Sequence, residues 1–244
     1  MDQSSALDGA VSVISKSDAS NVDFEHADTS VARIEENRHY PTLSRVLTAV
    51  RQCRACEQHL PLGPRPLLQV NEEARILIVG QAPGSRAHAT GIPWNDPSGD
   101  RLRSWMGIDA ACFYDAKKIA IIPMGYCYPG RGNGGDLPPR RECARLWLHH
   151  LLVKLPRIEI TLLVGLHAQR HFLGDQCKQS LTETVKAWRD YAPAYLPLPH
   201  SSPRNTPWLH RNRWFEHELV PVLRKQTMSL FERHVIEGLT GPGS

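Results

Sequence analysis

RILIVGQAPG, from Arg75 to Gly84, decides the fold. Ile76, Leu77, Ile78 and Val79 are apolar without alternation, and a Gly-Pro-Gly turn follows them. A short strand that is apolar on both sides is buried on both faces, as in a parallel sheet covered by helices. Ile160–Gly165 (ITLLVG) repeats the pattern, and Ile119–Pro123 (IAIIP) and Tyr195–Pro199 (YLPLP) are shorter versions of it. Helical spacing fills the intervals: Leu43–Cys53, Asp100–Met106, Arg140–Leu155, Leu166–Leu173, Leu181–Arg189 and Arg213–Val222. Strands alternating with helices predict an α/β fold, a three-layer α/β/α sandwich with a short, mainly parallel central sheet. Ligands of such sheets bind outside the carboxyl ends of the strands.

Outward from that core, 244 residues at 41% hydrophobic and 22% charged suffice for one domain with a sizeable interior. The domain is expected over 39–232. Residues 1–38, rich in Ser, Asp, Ala and Asn, read as a weakly ordered leader, and 233–244, ending in GPGS, as a tail. A net charge of +4 permits nucleic-acid binding without requiring it. No apolar run approaches the ~18–20 residues of a membrane span, and the start MDQSSALDGA lacks a secretory signal, so no membrane partner is expected. A cytoplasmic monomer is expected, whose six cysteines are ligands, catalytic groups or core residues rather than disulfides.

Cys53-Arg-Ala-Cys56 closes the first helix, Cys127 follows the strand at Ile119–Pro123, and Cys143 comes sixteen residues after it. Pro129, Gly130 and Pro138 suit a compact loop that returns the fourth thiol towards the others. Four converging thiolates are the ligand set of a [4Fe–4S] cluster or of Zn²⁺. Cys112 and Cys177 fall outside the pattern and read as small buried hydrophobes.

The chemistry-bearing residues crowd the strand ends. Gly80-Gln81-Ala82-Pro83-Gly84 makes a tight turn with exposed backbone N–H groups, but there is no GxGxxG and no phosphate-loop lysine. Thr90-Gly91-Ile92-Pro93-Trp94-Asn95-Asp96 holds an aromatic ring on a proline-stiffened loop. The last strand runs into His200-Ser201-Ser202-Pro203-Arg204-Asn205.

In this order, these pieces resemble the uracil-DNA glycosylase superfamily over about 45–225. GQAPG looks like its first motif, TGIPW like the loop that stacks on a flipped base, and HSSPRN like its second motif. The cysteines resemble those of the iron–sulfur-containing branches. The resemblance implies base excision repair of uracil or a related deaminated base in DNA, a partner that would make the protein nucleoid-associated by its substrate. It implies that Trp94 stacks on the base, that His200 donates to the base oxygen that gathers charge, and that Gln81, with Ala82, Pro83 and Gly84, holds the water. Ser201, Ser202, Pro203, Arg204 and Asn205 would grip phosphates and wedge the duplex. Cys53, Cys56, Cys127 and Cys143 would hold the cluster.

Departures from the pattern qualify that implication. Gln81 stands where iron–sulfur relatives usually have Glu, and Ala82 where other branches have Asp or Asn, so the first motif supplies no general base. Pro123 falls near the place of an Asn that reads the uracil edge. That leaves Met124 with backbone groups alone, and Asn95 and Asp96 as the nearest polar replacements. Ser201 replaces a common Pro. Two other readings stay open: a non-catalytic binder of flipped or damaged bases, and a structural zinc protein.

Overall fold

The computed structural model describes residues 39–240, with side chains through Arg233; the leader expected over 1–38 and the final GPGS lie outside the described residues. Helix α1 (Leu43–Arg51) opens the domain, its N-terminus capped by Thr42, whose hydroxyl accepts from the Arg45 N–H. Strand β1 (Ile76–Val79) leads through the glycine turn into α2 (Ser85–Thr90) and α3 (Pro97–Met106). A short α4 (Ala110–Phe113) precedes β2 (Ile119–Ile121). A hairpin of β3 (Arg131–Gly132) and β4 (Gly135–Asp136) follows. Next comes a helix, α5, of three joined pieces, Arg141–Cys143, a π-helical stretch Ala144–Leu148, and His149–Leu152. β5 (Ile160–Val164), α6 (Leu166–Leu173), α7 (Leu181–Lys186) and β6 (Tyr195–Leu198) complete the sheet. α8 (Thr206–Arg211) and α9 (Val220–Thr240), entered through a π-helical turn at Phe215–Leu219, close the chain. The backbone of α9 continues into the segment expected as a tail.

The four long strands form one parallel sheet in the order β2-β1-β5-β6. Side chains alternate across it, as the pleat requires. Leu77, Val79, Ala120 and Leu163 face a core shared with α1 and α5, through Val46, Val50, Trp147 and Leu151. Ile76, Ile78, Ile119, Ile121, Leu162, Val164, Leu196 and Leu198 face the other layer, with Leu102, Met106, Phe215, Leu219 and Leu223 from α3, α9 and its entry turn. Both faces are covered, which is why the strands carry no polar alternation. The fold is the α/β/α sandwich expected, with each strand a residue or two shorter than its apolar run.

From β1 the chain crosses to β2 on one side and later returns to β5 on the other. The switch point therefore lies between β1 and β5, where an open parallel sheet forms its crevice. Among the described residues, no helix is long and apolar enough to cross a membrane.

Candidate active site

A cavity of about 610 Å³ opens at that switch point, within the range of small-ligand sites. The turn Gln81–Gly84, the HSSPRN loop and the end of the β3–β4 hairpin line it. The hydrogen bond from Met124 N to Gly80 O, at 3.0 Å, and that from Gly125 N to Gln81 O, at 2.8 Å, pin the turn after β1.

His200 is the best-defined polar group in the cavity. The backbone N–H of Ser202 donates to its Nδ1 at 3.1 Å, so Nδ1 must accept and the imidazole proton sits on Nε2. Burial holds its pKa below the ordinary histidine value, against the opposing pull of Asp96 and Asp136. The ring is thus a neutral donor at pH 7. Asn205 steadies the loop by donating Nδ2 to the His200 carbonyl at 2.7 Å. Arg101, which the sequence reading did not single out, ties down the same loop through Ser202 O at 2.9 Å and Thr206 Oγ1 at 3.0 Å.

Trp94 lies across Gly80 and stacks on His200, with centroids 5.9 Å apart and planes at 27°. A Cβ on Gly80 would come 2.8 Å from Trp94 Cζ2, so only glycine lets the indole reach this position. The residue holds a left-handed φ of 57°, a conformation that non-glycine residues keep where the surroundings impose it. Gly165 plays the matching part under Gln81. Its φ is 90°, and a Cβ there would sit 3.0 Å from Gln81 Nε2.

Several expected site residues stand elsewhere. Met124 is buried in the core and is absent from the cavity wall, because its N–H is spent on Gly80 and its side chain packs beneath the sheet. Asn95 turns its amide to Thr90 Oγ1 at 3.4 Å. Ser201 is fully buried, and its Oγ has no hydrogen-bond partner among the described residues, so it faces away from any phosphate. Asp96 does line the cavity, yet its Oδ1 also caps α3 by accepting from Gly99 N at 3.0 Å. Arg204 is exposed at the mouth and donates to Gly134 O at 3.2 Å, latching the hairpin to the HSSPRN loop. Asp136, at the end of that hairpin, is a cavity carboxylate that the sequence reading passed over.

Behind the site, the four cysteines share one neighbourhood. Cys56 and Cys127 pack together with Leu60. Contact between Cys56 and Cys143 lowers the pKa of Cys56 and raises that of Cys143, which burial raises further. Burial pushes the Cys127 thiol up to about 11. The Tyr126 N–H points at Cys143 Sγ at 3.4 Å, and Trp147 Nε1 at Cys53 Sγ at 3.3 Å. The Tyr126 hydroxyl is buried without a hydrogen-bond partner among the described residues, close enough to Cys143 and Cys53 to feel their charge. Among the described residues, no group of three or more His, Cys, Asp or Glu is gathered tightly enough to hold a single metal ion. Cys112 and Cys177 are only half-buried rather than core residues.

A family model described as the uracil DNA glycosylase superfamily matches residues 68–224, more than half of the chain, and the chain belongs to that superfamily. Among solved structures, the chain is similar to a solution NMR structure from Methanosarcina acetivorans described provisionally as a uracil DNA glycosylase. The match has 18% identity, covers 64% of this chain and 92% of that one, and has a TM-score of 0.37, too low to bear on the site.

Proposed function

We propose that the protein is a DNA glycosylase that hydrolyses the N-glycosidic bond of uracil or a related deaminated base. The observation that carries this reading is the tautomer of His200, a cavity-lining neutral imidazole whose one remaining donor is Nε2–H. Cleavage leaves the electron pair on the base, so a fixed donor at the base oxygen strengthens its hold as charge develops. Trp94, beside it, offers a stacking face for a base turned out of the helix. Gln81, over Gly165, orients water but cannot take its proton. Arg204, Pro203 and Ser202 at the mouth are the groups available to the DNA backbone.

Cys53, Cys56, Cys127 and Cys143 would hold a [4Fe–4S] cluster. Their shared neighbourhood and the two N–H donors aimed at sulfur fit such a group, since N–H bonds offset thiolate charge. The cluster would brace α1 against α5 and would lie behind the chemistry rather than in it. Incubation of the full chain with single- and double-stranded oligonucleotides carrying one uracil should release free base and leave an abasic site. Binding without release, across all deaminated bases, would favour a recognition protein with the same fold.

A further inference from the structure

We infer that Asp136, carried into the cavity by the β3–β4 hairpin, is the general base that the first motif lacks. The inference rests on the glycosylase reading and supplies the water activation that reading leaves without a residue. Arg131–Gly132 and Gly135–Asp136 pair across Asn133-Gly134, a dipeptide suited to a two-residue hairpin turn. The strand pairing and the latch from Arg204 to Gly134 O fix where the last residue of β4 stands.

Its Oδ2 lies 3.4 Å from the point where a side chain would begin on Gly84, in the very turn proposed to hold the water. The Tyr128 hydroxyl, its pKa raised mainly by burial, lies near enough to the same carboxylate to feel its charge. Asp96 also approaches Gly84, with Oδ2 at 3.9 Å from the same point. One oxygen of Asp96 is held by the cap of α3, and protonating that residue would weaken the helix start. Asp136 caps no helix and can accept a proton without loosening one. The charged and titratable groups facing it are Asp96 and His200 from the cavity, Arg204 from the opposite loop, and Arg131 and Tyr128 from its own segment.

The step balances as follows. The C1′–N bond breaks and its electron pair leaves with the base, whose charged oxygen His200 Nε2–H holds. Water oxygen bonds to C1′ and its proton passes to Asp136. The protonated carboxyl then returns that proton to the departing base or to solvent. Until water arrives, the carboxylate also stabilises the positive sugar electrostatically.

The test is single-turnover release of uracil by the full chain across pH, comparing wild type with Asp136→Asn and Asp136→Ala. Asp136→Asn should slow release by ~10²–10³-fold, change the pH profile of the rate, and leave oligonucleotide affinity within about twofold. Added formate should restore part of the rate to Asp136→Ala, which a merely structural role would not allow. Wild-type rate and pH profile in Asp136→Asn, with an active wild type, would overturn this assignment alone. An inactive wild type would overturn it together with the glycosylase reading.

Discussion

Gly165→Ala tests the geometry under Gln81 from a backbone position in the cavity wall. Gly165 has φ 90° and ψ 169°, a region open essentially to glycine, and a residue forced into it costs about 1–3 kcal/mol. The new Cβ would also stand 3.0 Å from Gln81 Nε2 and 3.6 Å from His200 Cβ. The amide end of Gln81 is flexible and can retreat, so that contact adds little to the cost but moves the group proposed to orient water. For a domain of this size, a kcal/mol shifts the melting midpoint by about 2–4 °C, so a fall of roughly 2–12 °C is expected. A displacement approaching an ångström costs up to ~10²-fold in rate. Thermal unfolding followed by circular dichroism, with single-turnover uracil release on the same preparation, reads both effects. The double variant Gln81→Ala/Gly165→Ala should keep the stability loss but react no more slowly than Gln81→Ala, because the shared contact is gone. An unchanged midpoint with a wild-type rate in Gly165→Ala would refute the reasoning.

Metal content and acid stability offer two further checks. Anaerobically purified protein should be brown and contain iron and acid-labile sulfide. Cys→Ala at 53, 56, 127 or 143 should remove both and lower stability, whereas Cys112→Ala and Cys177→Ala should keep them; colourless folded protein holding one zinc would overturn the assignment. Burial lowers the pKa values of His200 and His167, so just below pH ~6.5 the unfolded chain binds more protons than the folded one. Their contribution is then fully present above pH ~6.5 and lost as pH falls through the folded values. The melting midpoint should drop from pH 7 to pH 5, and a flat profile there would contradict the burial of these rings.

The sheet was legible because burial on both faces writes itself as unbroken apolar runs, and the strand ends are where those runs stop. Gln81, Trp94, Asp96 and His200 fell into the cavity for that reason. Side-chain direction within a loop was less legible. His200 faces the cavity while Ser201, one residue on, turns into the core, and Met124 follows its strand inward instead of towards the base. Asp136 was missed because the segment between Cys127 and Cys143 reads first as a spacer between ligands. Asn133-Gly134 was the available signal, a hairpin turn that predicts a strand end at Asp136. Gly165 could not have been singled out, since its importance comes from contacts with Gln81 and His200, distant in the chain.

The central claim is that a neutral His200 donor stabilises the leaving base. Single-turnover release of uracil from a labelled oligonucleotide, wild type against His200→Ala at saturating protein, tests it most directly. Loss of that donor should slow release by ~10²–10³-fold, equivalent to about 3–4 kcal/mol of transition-state stabilisation, with oligonucleotide affinity nearly unchanged. Equal rates for the two proteins, on a substrate the wild type cleaves, would contradict it.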